Sequence, residues 1–159
     1  MASHGYLIAL GSNVPHHRHG TPRRILRAAI EALKQENFQV EAAAPMIETA
    51  PLGHSRRRYA NGAVLVHSAL PPDQVLQVLK RIESAFGRRS AGLPWSARVL
   101  DLDIVLWSGG PWAREDLVIP HPAFRQRRFV LTPAARVAAS WRDPLTGLTN
   151  RLGLERRAP

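Results

Sequence analysis

Two aspartates, Asp101 and Asp103, sit inside the run Arg98-Val99-Leu100-Asp101-Leu102-Asp103-Ile104-Val105-Leu106. Read as a strand, the run puts Leu100, Leu102, Ile104 and Leu106 on one side and both carboxylates on the other. Asp is a poor strand former, and like charges at i and i+2 repel. A divalent cation between them removes the conflict. Two carboxylates leave most of a coordination sphere open, which suits Mg²⁺ completed by water and phosphate oxygens. Arg98 points to phosphate as well, because guanidinium pairs with it through two parallel hydrogen bonds. The competing reading is an ordinary half-buried strand with a solvated acidic face.

Other residues with chemical potential are less specific. His16, His17 and His19 crowd one polar loop, but no second ligand group stands at a fixed spacing, so they read as loop histidines. Tyr59 and Asn61 share a face at the start of an apolar run. Either they contact something, or Tyr59 covers the edge of the core. Trp95 stands alone in a stretch with Gly92, Pro94 and Ser96, where it is either a lid over a ligand or an edge cap.

The elements that must position these residues follow from periodicity. Residues 6–10 read as a buried strand closed by a Gly11-Ser12-Asn13 turn. Thr21-Pro22 starts a helix to about residue 36, with Ile25, Leu26, Ala29, Ile30 and Leu33 on its apolar side. Residues 38–46 and 59–67 predict two more strands, the first broken at Thr49-Ala50-Pro51-Leu52-Gly53. Pro71-Pro72-Asp73 opens a second helix with Val75, Leu76, Leu79, Ile82 and Phe86 inward, Glu83 at the border of that stripe, and Gly87 at its end. The aspartate strand follows, then an edge strand at 117–119 and a helix at 129–137. Beyond Asp143 the chain is polar and Arg-rich, and about residues 148–159 are expected to fray. Strand, helix, strand, strand, helix, strand predicts an α+β, ferredoxin-like βαββαβ antiparallel sheet. Both helices would cover one face, leaving the other free for a ligand. A single domain over 1–159 is expected.

Composition narrows the class. Of 159 residues 45% are hydrophobic, enough for a real core, and there is no cysteine for disulfide or thiolate chemistry. No apolar run reaches spanning length and nothing at the N-terminus reads as a signal peptide, so a cytoplasmic protein without membrane contact is expected. The net charge is +10, nearly all from arginine, with lysine only at Lys34 and Lys80. Such a surface attracts polyanions, which fits either a nucleic-acid binder or a nucleotide-using enzyme.

Several separated segments agree with one family. The chain resembles 6-hydroxymethyl-7,8-dihydropterin pyrophosphokinase in Leu10-Gly11-Ser12-Asn13, Thr49-Ala50-Pro51-Leu52-Gly53, Tyr59-Ala60-Asn61, Gly87-Arg88, Trp95, Arg98-Val99-Leu100-Asp101-Leu102-Asp103, and Ile119-Pro120-His121-Pro122 followed by Arg127 and Phe129. Each motif is short, but they occur together and in the family's order. The resemblance implies transfer of pyrophosphate from ATP to the hydroxymethyl group of the dihydropterin, with release of AMP. It implies that Asp101 and Asp103 hold two Mg²⁺ ions against ATP, and that Arg88, Arg98, Ile104, His121 and Arg127 contact the nucleotide. Tyr59 and Phe129 would sandwich the pterin, Asn61 would bond its edge, and Thr49, Pro51 and Leu52 would complete the pocket. Trp95 would close over both substrates. A monomer with small-molecule substrates and no nucleic-acid partner is implied. Two departures stand out: Ser90 where the family usually has arginine, with Arg89 one step earlier, and the His-rich loop before residue 20.

Two rivals come from other readings. An RNA-binding domain of similar element order would stack bases on central-strand aromatics, yet no Gly-aromatic signature is present, and Asp101 and Asp103 would repel an RNA backbone. A pterin- or nucleotide-binding paralogue with weak turnover is the other, suggested by Ser90.

Overall fold

A computed structural model describes residues 3–13, 18–49, 59–87 and 99–156, with Thr49 by its backbone alone. Strand β1 (His4–Ser12) is central. Helix α1 (Pro22–Gln35), strands β2 (Gln39–Ala43), β3 (Ile47–Thr49) and β4 (Tyr59–Ser68), helix α2 (Pro72–Ala85) and strand β5 (Asp101–Trp107) follow in chain order. The sheet runs β2-β4-β1-β5, with β3 also on β4, and every pairing is antiparallel. This is the expected ferredoxin-like arrangement. β1 does not stop at Leu10. Gly11 pairs with β4 and β5 at once and Ser12 pairs with β4, so the ladder carries the strand through the anticipated turn.

Helices α1 and α2 pack on one face. Ile25, Leu26, Ala29 and Leu33 of α1 and Val75, Leu79 and Ile82 of α2 bury against Tyr6, Ile8, Leu10, Val64, Val66, Leu102 and Ile104. Thr21 caps α1, its hydroxyl accepting from the Arg24 amide at 3.4 Å. The second strand is split. β2 ends before Pro45, which has no N–H for the ladder, and pairing resumes in β3 along the other half of β4.

The other face of the sheet is not free, contrary to expectation. Helix α3 (Arg128–Val137) lies across it, and Leu131, Ala134 and Val130 join Leu7, Ala9, Ala63, Val105, Leu106 and Phe124 in a second core. Leu106 belongs here, not with Leu102 and Ile104. The register slips between Leu7 and Ile8, so Val105 is an extra residue on β5 and the alternation inverts after it. The expected edge strand at 117–119 does not join the sheet. As β7 (Leu117–Ile119) it forms a separate hairpin with β6 (Trp112–Arg114).

The segment expected to fray forms helix α4 (Asn150–Arg156), packed on α3. Its anchor is local. Asn150 is 2% exposed and donates its side-chain amide to the Ala138 carbonyl at 2.8 Å. Arg125 grips Asp143 through Nε to Oδ2 at 2.5 Å and Nη2 to Oδ1 at 3.0 Å, and the Leu145 amide donates to the same Oδ1. Burial alone pushes the Asp143 carboxyl up. The Arg125, Leu145 and Thr146 hydrogen bonds and the Arg125 charge together hold it below the usual carboxylate range.

A lowered folded value means that Asp143 stabilises the fold fully above the ordinary aspartate pKa, about 3.9, and loses that contribution as the pH falls through the folded value. Asp143→Asn is expected to cost about 2–3 kcal/mol at neutral pH and to flatten the loss of stability in acid. Urea unfolding at neutral pH and across the acid range measures both.

Candidate active site

The register of three strands assembles the predicted residues. Gly11 lies opposite Asn61 on one side and Asp101 on the other, and Ile47 lies opposite Asn61. Directly paired residues of an antiparallel sheet share a face. Ile47, Asn61, Gly11 and Asp101 therefore form one row across the sheet, and Ala63, Ala9 and Asp103 form the next. Both rows lie on the face away from α1 and α2. The second core reaches Ala9 and Ala63 and goes no further along β1 and β4, so the first row stands at its border. Tyr59, opposite the Thr49 backbone, sits half-buried two residues before Asn61 on the same face. Phe129, in the first turn of α3, is half-buried against the second core, with the Arg127 guanidinium 5.6 Å from its ring centre.

His121 joins the aspartates from the other side. Its amide donates to the Val105 carbonyl at 3.1 Å, and its Nδ1 accepts from the Ala123 amide at 3.1 Å. With Nδ1 an acceptor, the neutral ring carries its proton on Nε2, which lies 3.9 Å from Asp103 Oδ2. The Asp103 side chain is 44% exposed, so its oxygens remain accessible. Among the described residues no three His, Asp or Glu side chains form a metal cage. The pair Asp101 and Asp103 fits instead a hard cation that takes its remaining ligands from a bound polyphosphate and water.

Beside Asp103 and His121 opens a cleft of about 340 Å³ between α2, β5 and the β6–β7 hairpin. Leu76, Ile104 and Leu117 supply apolar wall, and Lys80, Glu115 and Asp116 stand at it as charged groups. Ile104, read from the resemblance as a nucleotide contact, thus lines the cleft although it is only 3% exposed. The size and mixed lining suit a small organic ligand joined to whatever Asp103 binds.

Glu83 is the surprise of this wall. It stands at the edge of the α2 stripe, as expected, but is 3% exposed, and its Oε2 accepts the Leu102 amide at 2.9 Å. That amide lies between Asp101 and Asp103. The buried carboxylate thereby fixes the height of the strand that presents both acids.

The family model for 7,8-dihydro-6-hydroxymethylpterin-pyrophosphokinase matches residues 7–139. The chain belongs to this family. It is accordingly an ATP-using pyrophosphokinase. It is 34% identical over 147 residues to the 2-amino-4-hydroxy-6-hydroxymethyldihydropteridine pyrophosphokinase of Synechocystis sp., spanning 92% of this chain and 72% of that protein. The Bacillus subtilis protein of the same name is 34% identical over 132 residues, spanning 82% of this chain and 75% of its own. The fold is similar to that of the Plasmodium falciparum HPPK-DHPS crystal structure with pteroate, with a TM-score of 0.72 at 11% identity over 98% of this chain and 42% of that one.

For this pyrophosphokinase, then, the structure brings Asn61, Asp101, Asp103 and His121 onto or beside one strip, with Tyr59 on the same face of β4, and Arg127 and Phe129 together at the start of α3. Pro51, Leu52, Arg88, Ser90, Trp95 and Arg98 lie outside the described residues, as does the Thr49 side chain. Glu83 was missed as a site-building residue. The signal was available: around the helix Glu83 falls between Leu79 and Leu76, within the apolar arc though toward its flank. Glu83→Leu should leave the Leu102 amide without its acceptor and cost about 1–3 kcal/mol, while Glu83→Gln, which keeps an oxygen there, should cost less. Thermal melts of the two variants rank them.

Proposed function

We propose that the protein transfers the pyrophosphoryl group of ATP to 6-hydroxymethyl-7,8-dihydropterin on the open strip of the sheet, with Asp101 and Asp103 as the ligands of Mg²⁺. Family membership supports the reaction, and the observation that supports the place is the row Asn61, Gly11, Asp101, which sets an amide and a carboxylate on either side of a bare backbone.

The nucleoside end of ATP enters the cleft beside Leu76, Ile104 and Leu117, and its phosphates run out past His121 and Asp103. His121 Nε2–H donates to a phosphate oxygen, a role that its Nδ1 bond to the Ala123 amide prepares. Tyr59 and Phe129 hold the faces of the pterin and Asn61 its polar edge, an arrangement that suits a planar heterocycle. Arg127, whose guanidinium stands 5.6 Å from the Phe129 ring centre, is assigned to the phosphates. The pterin hydroxyl oxygen attacks the β-phosphorus, and the bond from that phosphorus to the α–β bridging oxygen breaks. AMP leaves with the electron pair, and the hydroxyl proton passes to water. Bound Mg²⁺ supplies charge neutralisation on the phosphate oxygens. Alignment and charge compensation carry this chemistry, with no covalent enzyme intermediate. The family motif extends the phosphate-contacting set to Arg88 and Arg98. No described helix is long and apolar enough to cross a membrane, and a monomer in the cytoplasm is the setting we assign.

Asp101→Ala and Asp103→Ala are each expected to lower AMP formation by about 10²-fold or more. The fold should survive, and the melting temperature should hold or rise slightly as the like-charge pair is relieved. The assay combines protein, ATP, Mg²⁺ and the reduced hydroxymethylpterin and follows AMP, beside circular dichroism of each variant. Formation of ADP instead, or near-normal turnover with either alanine, would refute the assignment.

Tyr59→Ala, Asn61→Ala and Phe129→Ala are expected to weaken pterin binding by about 1 kcal/mol or more each, with less effect on ATP. Calorimetry with the pterin in the presence of a non-hydrolysable ATP analogue, and with the analogue alone, separates the two losses. Equal losses for both ligands would contradict a pterin-specific role.

A further inference from the structure

Gly11 stands at the crossing of the two half-sites, and neither its backbone nor the core explains why it is glycine. It pairs in regular antiparallel register on both sides, so it is not the turn residue that the Gly-Ser-Asn sequence suggests. Its φ is not in the left-handed region, unlike those of Gly20, Gly87, Gly110 and Gly147. It is half-buried, and among the described residues a methyl group built on it meets one neighbour, Asn61 Oδ1 at 3.3 Å. Gly5, on the same face of the same strand, differs: a Cβ there would come within 2.8 Å of the Trp141 ring, so packing alone excludes a side chain. At Gly11 the space that a side chain would take belongs to no other part of the described protein except the edge of that amide.

Neighbouring strands are about 4.8 Å apart, so the Asn61 and Asp101 backbones are separated by roughly 10 Å with Gly11 midway. A pterin edge held at Asn61 and a phosphate held at Asp101 through its cation must close that gap. The group that closes it is the hydroxymethyl arm with its attacking oxygen. Reaction needs the oxygen and phosphorus to approach to about 3–3.5 Å. A methyl group standing up from the midpoint would occupy the line of approach. In the next row Ala9 holds the equivalent position between Ala63 and Asp103, and the second core reaches it there.

We infer that Gly11 is a positioning residue for the transfer: its missing side chain forms the trough in which the hydroxymethyl arm meets the β-phosphate. This rests on the reading of the site given above. The trough acts on the encounter between the two substrates more than on the binding of either. It is a geometric requirement met by backbone alone, and it makes the acceptor arm's path part of what the site selects.

The test is Gly11→Ala in the full chain, with Gly62→Ala as the matched control. Gly62 lies opposite Leu10 on the other face of the sheet, where a Cβ would find Leu26 and Met46 at an ordinary 3.8 Å. Gly11→Ala should lower kcat for AMP formation by about 10²-fold. The dissociation constants of the Mg²⁺–ATP analogue and of the pterin, each measured alone, should move by no more than about threefold and tenfold respectively, and the melting temperature should stay near that of Gly62→Ala. The double variant Gly11→Ala/Asn61→Ala removes the crowded amide and should remain at least tenfold below Asn61→Ala alone in kcat. A kcat of Gly11→Ala within threefold of the natural protein overturns the inference. So does a double variant equal to Asn61→Ala, which would mean that the methyl acts only by pressing on the amide. Loss of both affinities and of melting temperature together would also overturn it, by showing a packing role. Asp101→Ala, assayed in parallel, separates the two levels. If it abolishes AMP formation while Gly11→Ala is silent, the trough is wrong and the site stands. If Asp101→Ala is itself fully active, the site reading fails.

Discussion

The central position of β1 constrains everything else in this protein. A strand paired on both edges and packed on both faces has no freedom of register, because a slip of one residue would move every inward side chain to the wrong side. Tyr6, Ile8 and Leu10 meet the helices, while Leu7 and Ala9 meet α3. That double burial pins Gly11, and Gly11 in turn sets Asn61 and Asp101 level with each other across two ladders. The geometry of the proposed site therefore depends on hydrophobic packing several residues away from it. The Glu83 carboxylate adds a polar clamp at the outer strand, holding the Leu102 amide on the edge of β5 away from β1.

Much of this was legible in the residues. The alternation around Asp101 and Asp103, the apolar stripes of α1 and α2 and the order of elements sufficed for the ferredoxin-like sheet, because each is a local pattern with a single period. The short motifs sufficed for the family. What escaped was set by contacts between segments distant in sequence. Nothing local distinguishes Leu106 from a helix-facing position such as Ile104 until the extra residue at Val105 is seen against β1. The covering of the second face by α3 was hidden because a sheet face lined with Leu7, Ala9 and Ala63 reads much like one that is simply small and apolar. Helix α4 was hidden for a different reason: its polar, arginine-rich composition suggests fraying, while its hold comes from contacts distant in sequence, among them the Asn150 and Arg125–Asp143 anchors and the packing of Leu154 on the second core.

Charge plays two separate parts. The net +10 comes nearly all from arginine, and among the described arginines Arg125 is set apart by its buried, bidentate partner. The site itself presents acid, from Asp101 and Asp103, within a basic molecule. Such a surface draws polyanions in general at a distance, while in the proposed site the two carboxylates would discriminate at contact between a bare anion and one that arrives with its cation.

The extra residue at Val105 also has a consequence for how this chain can change over time. A bulge is a place where a strand already tolerates a mismatch in count with its neighbour. Loss of one residue there would restore plain alternation and rearrange only the far end of β5, near Trp107. Loss of Leu102, between the two acids, would turn one of the carboxylates into the helix-packed core. The strand is thus divided into a segment whose length is open to drift and a segment whose length is closed to it, and the boundary falls two residues beyond Asp103.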